Sequence, residues 1–170
     1  MVRVEHVLDS WKAVRQDTAA AVEDFPEVDF DFRPAPDVMT FREAAHHILD
    51  AGDGLTGLLL AGEDNFATPE FRDRMKSHMR GLPANASASA LAAALRESVE
   101  NRTAAFAAQP AGYFEHMITR FDGVKVTRLE MLQTIKEHEI THRAHMFLCL
   151  RMKGIVPATT RRRNAKQAGK

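Results

Sequence analysis

Two short stretches constrain the fold most tightly: Thr40-Phe41-Arg42-Glu43 and Thr127-Arg128-Leu129-Glu130. In each, a Thr is followed three residues later by a Glu. This is a capping box, in which the hydroxyl and the carboxylate each accept from the other residue's free backbone N–H. Each box stands before a long segment whose apolar residues recur every three or four positions, the period of an amphipathic helix. Helices therefore open at Thr40 and at Thr127. The first carries the stripe Phe41, Ala44, Ile48, Ala51, Leu55 and Leu58 and closes near Gly62. The second runs to Lys153, with Gly154 as its stop and Pro157 just beyond.

Two further segments show the same spacing. Residues Val4 to Glu23 present Val4, Val7, Leu8, Trp11, Val14 and Val22 on one face. They end near Pro26, where a loop rich in proline and acids follows. Residues Ser89 to Gln109 combine strong helix formers with small side chains, and Pro110 and Gly112 end them. Between the second and third long helices, residues 69–80 read as a short, charged helix with Pro69 in its first turn. It is expected as an insertion over one end of the bundle. The segment around Asp122-Gly123 is irregular, with that dipeptide as the tip of a small hairpin. Runs of β-branched residues are almost absent. The expectation is an all-α chain: a four-helix bundle with a short inserted helix over residues 1–158, then a basic, flexible tail over residues 159–170.

Charge narrows the partners. Lys plus Arg equals Asp plus Glu at 23 each, which gives no reason to expect a nucleic acid or a membrane. The last ten residues hold five positive charges and no acid, but no aromatic residue for base stacking, so a solvated tail is expected. The one cysteine, Cys149, forms no internal disulfide and is expected as a small buried hydrophobe. The first residues hold acids and no long apolar run, so neither a signal peptide nor a membrane span is expected and the location is taken as cytoplasmic. No Gly-rich phosphate loop, nucleophile elbow or dinucleotide fingerprint is present.

The stretch KEHEITHRAHMF, residues 136–147, carries the chemistry. With Met131, Ile135 and Cys149 as core markers, His138, His142 and His145 fall on the same stripe, where a bundle usually places Leu. Three imidazoles in a low-dielectric interior each need a partner. His138 and His142 are four apart and reach one ion together at about 2.0–2.1 Å. The stretch also matches H-E-x-x-H, yet the peptidase reading fails inside the sequence. One zincin pattern needs Gly and His at what are here His145 and Leu148. The other needs a downstream acid, and none follows Glu139. A third ligand is better sought in the second helix, in EAAHHILD. There His46 falls opposite the core stripe and is expected to face water, while His47 lies at its flank, roughly 70° from the centre. Three nitrogens with an open fourth position suit catalytic zinc, and also nickel or iron. His6, His78 and His116 are expected at the surface. Glu139 points about 100° away from His138 and is expected to pair with Arg143, four residues on.

These residues resemble the DinB-like (YfiT-like) superfamily of metal-dependent enzymes. The shared parts are EAAHHILD, HEITHR and the closing LRMKGIVP, sharp over about residues 38–55 and 127–157. The resemblance implies a four-helix bundle with a divalent metal, zinc or nickel before iron or manganese, held by His47, His138 and His142. Arg143 matches the Arg that follows the last ligand. The family's next pair is Gly-Gln, where this chain has Ala144-His145, so His145 becomes a candidate base or fourth ligand. Relatives include thiol-dependent transferases and isomerases, which implies a low-molecular-weight thiol as cosubstrate, and they commonly form homodimers.

The leading expectation is therefore a metal-dependent enzyme acting on a small-molecule substrate, as a thiol S-transferase or a hydrolase. His145, Glu139 and Arg143 are the candidate catalytic residues. The rival from another class is a non-enzymatic homodimeric bundle with a structural metal, closed by His145, or with none.

Overall fold

The computed structural model describes residues 3–169. Both capping boxes form. Thr40 Oγ1 accepts from the Glu43 N–H at 3.1 Å and Glu43 Oε2 from the Thr40 N–H at 2.7 Å, and the Thr127–Glu130 pair repeats these distances. Four long helices follow from the periodicity: α1 (Val4–Asp24), α2 (Phe41–Leu60), α4 (Ala88–Ala107) and α5 (Arg128–Met152). The inserted helix α3 is shorter than expected, Phe71–Lys76. A two-stranded antiparallel hairpin, β1 (Met117–Thr119) and β2 (Lys125–Thr127), precedes α5. Its tip holds Gly123 at φ +83°, the left-handed conformation that favours glycine in a turn.

Helix α1 packs mainly on α4 and α2 mainly on α5, while α1–α5 and α2–α4 contacts close the ring. The interior holds two apolar clusters. One surrounds Phe25, Phe30 and Phe41, with Phe25 and Phe41 stacked at 3.9 Å. The other surrounds Trp11, Leu58, Phe66 and Ile135. The buried polar side chains of Arg15, Asp53, Ser98 and Glu139 join the four helices to one another.

Residues Ala158–Ala168 form a sixth helix, α6, where a flexible tail was the expectation. Their Ala, Arg, Lys and Gln content is helix-forming. Two ion pairs hold α6 against α1: Arg161 to Asp24 at 2.8 Å and Arg162 to Asp17 at 2.5 Å.

Three glycines, Gly52, Gly54 and Gly57, stand inside α2, where each weakens a helix by roughly 0.5–1 kcal/mol relative to Ala. The structure supplies the reason. A Cβ at Gly52 would lie 2.7 Å from the buried Arg15 guanidinium, one at Gly54 2.4 Å from Met75, and one at Gly57 2.3 Å from His78 Cβ. Gly52 makes room for Arg15 of α1, while Gly54 and Gly57 open a notch that seats α3 and the chain after it, so His78 is packed and half-buried instead of lying at the surface. Gly57→Ala is expected to destabilise the protein by about 1–3 kcal/mol through this overpacking. Thermal melting against Gly112→Ala, which meets open space, checks it. A melting temperature raised in Gly57→Ala would mean that the segment is not seated.

Candidate metal centre

His47 comes from α2 and His138 and His142 from α5, across the groove where these two helices pack. His47 Nε2 lies 3.0 Å from His138 Nε2, and His142 Nε2 lies 3.1 Å from it. The ligand atoms of all three lie within 4.8 Å of one another, and each ring is half-buried. Nitrogens bound tetrahedrally to one ion at 2.0–2.1 Å sit about 3.3 Å apart. The three Nε2 atoms therefore converge as a metal would require.

The electrostatics agree with that donor set. Burial pushes all three imidazoles below their ordinary value. His138 falls to about 4, by burial first and then by the neighbouring His142 and His47, with Glu139 opposing. His47 is lowered by burial against the pull of Asp50, and His142 by burial and then by His47 and His145. Rings that stay neutral at pH 7 keep their lone pairs free for an ion.

The expected core stripe of α5 is displaced. The buried residues are Met131, Leu132, Ile135, Glu139, Met146, Cys149 and Leu150. With Met131 set to zero on a helical projection, Leu132, Glu139, Met146 and Leu150 fall at about 60–100°, whereas His138, His142 and His145 fall at about −40° to +20°. The histidines therefore occupy the flank of the buried face, and Glu139 lies near its middle. This overturns the expected Glu139–Arg143 pair. Glu139 is 2% exposed. Its Oε1 accepts from Arg15 Nε and Thr18 Oγ1 and its Oε2 from Trp11 Nε1, each at 2.8 Å. Arg143 turns towards α1, 3.5 Å from Asp17, and lies over the Phe147 ring.

His145 stands one turn beyond His142, outside the three-His group. Its Nε2 is buried without a hydrogen-bond partner among the described residues. His46, expected to face water, is half-buried, and its Nε2 is likewise unpartnered. Asp50 was not singled out by the sequence reading, although it closes the EAAHHILD segment. It is half-buried, and burial raises its carboxyl above the usual range while His46 and His47 oppose the rise. His6 and His116 are exposed, as expected, and Cys149 is fully buried.

Comparison with known families decides the ancestry: the model of the DinB superfamily matches residues 10–146. The chain belongs to the DinB superfamily. Among solved structures, the DinB-like protein YjoA from Bacillus subtilis superposes with a TM-score of 0.68 at 19% identity, covering 88% of this chain and 92% of that one. YfiT from the same organism, described as a probable metal-dependent hydrolase with an unusual four-helix bundle topology, gives 0.70 at 20% identity, with 90% and 89% covered. A mycothiol-dependent maleylpyruvate isomerase gives 0.63 at 16% identity, with 84% of this chain and 60% of that one covered. At these identities the structural likeness shows the DinB fold. No curated protein sequence matches the chain closely enough to count as a relative. Among the described residues, no helix is long and apolar enough to cross a membrane.

Proposed function

We propose that this DinB-superfamily chain is a metal-dependent enzyme that activates a thiol or a water against a small-molecule substrate. The observation that carries the reading is the convergence of the Nε2 atoms of His47, His138 and His142 from two helices. A bound divalent ion supplies a fixed +2 charge that acidifies a thiol or water beside it near neutral pH. Three imidazoles add no negative charge and leave that effect undiminished. The rest falls to the chain's own residues. The packed α2–α5 groove holds His47 in register with His138 and His142. Asp50, one turn from His47, is placed to orient the His47 side of the site. His145, with its unpartnered Nε2 one turn from His142, is the side chain assigned to hold or accept a proton. Glu139 and Arg143 are engaged elsewhere, and we assign them no contact with substrate. Zinc or nickel as the ion, a low-molecular-weight thiol as cosubstrate and a homodimer as the working unit belong to the same reading, supported by the family resemblance, and a cytoplasmic location is proposed beside them.

Elemental analysis of untagged protein purified without chelator tests it. About one equivalent of metal per chain is expected, lost in both His47→Ala and His142→Ala, because a site with three protein ligands does not survive the loss of one. Wild-type protein that stays metal-free after titration with zinc and nickel would overturn the reading. A chelator-induced collapse of the melting temperature in protein without activity towards thiol substrates would favour a structural ion instead.

A further inference from the structure

The three histidines lie between α2 and α5. A separate cleft of about 310 Å³ lies between α2 and α4, lined by Asp53, His78, Arg80, Ser98, Asn101 and Arg102. Nothing in the metal chemistry accounts for it. Its construction begins with the α2 notch. Gly57 admits His78, and this lays residues 78–80 along α2 and delivers Arg80 to Asp53. The Asp53 side chain is only 4% exposed and accepts from Ser98 Oγ at 2.6 Å. Arg80 Nε and Arg102 Nε flank its two oxygens, each at 3.5 Å.

Those two contacts are longer than the 2.7–2.9 Å typical of a charge-assisted bond. The guanidiniums are held in place without being saturated. Arg102 Nη2 donates to the carbonyls of Asp53 and His78, and Arg80 Nη1 donates to Glu97. Arg80 Nη2 and Arg102 Nη1 have no hydrogen-bond partner among the described residues. Two arginines and one buried aspartate give the inner wall one positive charge, which the Glu97 carboxylate, 2.6 Å from Arg80 Nη1, offsets from outside. Glu97 sits at the rim, its side chain 65% exposed, where water screens it.

We propose that this cleft binds a small molecule through a carboxylate, held by Arg80 and Arg102 with the Asn101 amide beside them. A planar carboxylate bridges the two free groups, Arg80 Nη2 and Arg102 Nη1, and as a monoanion it adds the least negative charge beside Asp53 and Glu97. A phosphate dianion would set its second charge against Asp53 and Glu97 and is disfavoured. The proposal is independent of the three-His reading and survives if that centre proves empty.

Titration of the full chain with acetate, at ionic strength held constant with chloride, tests it in ¹H–¹⁵N spectra. Saturable shifts are expected at the amides of Ser98, Asn101 and Arg102. Inorganic phosphate under the same conditions is expected to produce weaker ones. Arg80→Gln is expected to weaken acetate binding at least about tenfold, since it removes a charged hydrogen-bond donor to a charged group. Asn101→Asp guards against a variant that fails to fold: its position is exposed, and the added charge is expected to abolish binding. Shifts that grow linearly without saturating, phosphate binding as tight as acetate, or acetate binding unchanged in Asn101→Asp would each overturn the assignment and leave the cluster a structural ion network.

Discussion

Replacing Glu139 by Ala is expected to destabilise the fold by about 3–5 kcal/mol, the usual cost of removing one partner from a buried ion pair. The side chain it strands is Arg15, which is fully buried. The remaining protein partners of Arg15 are weak ones, the Leu95 carbonyl at 3.5 Å and Ser98 Oγ at 3.4 Å. Trp11 Nε1 also loses its acceptor. Urea denaturation of wild type and variant reads the loss directly. Glu139→Gln is expected to fall between the two, because an amide oxygen still accepts from Trp11 or Thr18 but leaves the arginine charge unbalanced. The double variant Arg15→Met, Glu139→Leu is expected to recover most of the stability, since well-packed apolar replacements of a buried pair are often neutral. It also separates structure from chemistry. A double variant that folds and takes up metal as the wild type does would show that Glu139 is not needed for the proposed metal binding, despite its place beside His138. A loss under about 1 kcal/mol in Glu139→Ala would mean that the buried pair described here does not form.

The outline of the bundle was legible because each long helix carries its own start, period and stop. Thr40 and Thr127 cap as expected, and the α2 stripe from Phe41 to Leu58 is buried throughout. The three ligand candidates were legible too, because His138 and His142 share one helical face and His47 flanks another. The orientation of α5 was not. Its stripe was drawn from Met131, Ile135 and Cys149 alone, and the buried arc extends to Leu132, Met146 and Leu150. A carboxylate in the middle of that arc breaks the apolar pattern, and its partners, Trp11, Arg15 and Thr18, lie more than a hundred residues away in sequence. No local rule finds such a pair. The signal that could have served was Arg15 itself, a charge beside the stripe of α1 that needs a buried counter-charge. The notch in α2 stands in the sequence as Gly54 and Gly57 but was unassigned, because a glycine announces close approach without saying what approaches. The helix α6 was hidden by its composition: with few apolar residues it shows no amphipathic period, and its ion pairs to Asp17 and Asp24 are tertiary.

Acidification is expected to weaken the protein and empty the site over the same interval. The imidazole of His138 is held down at about 4, and those of His47 and His142 also lie below the ordinary 6.5. Above about pH 6.5 the folded and unfolded chains both leave these rings neutral, and no proton-linked difference exists. As the pH falls from 6.5 towards 4, the unfolded chain takes up protons that the folded site refuses. The unfolded state then binds more protons, so stability drops with pH through that window. With the half-buried rings discounted for solvent screening, a fall of about 1–2 kcal/mol between pH 7.5 and 4.5 is expected for metal-free protein. That corresponds to several degrees in melting temperature for a chain of this size. Protein loaded with zinc is expected to melt higher than metal-free protein at pH 7.5 and to lose that margin as protons compete for the same three nitrogens. The histidine origin is checked with His138→Gln, in which the low-pH loss of the metal-free protein is expected to shrink. A melting temperature that is flat from pH 7.5 to 4.5 in the metal-free wild type would overturn the prediction, and a slope unchanged in His138→Gln would detach the acid sensitivity from the three-His centre.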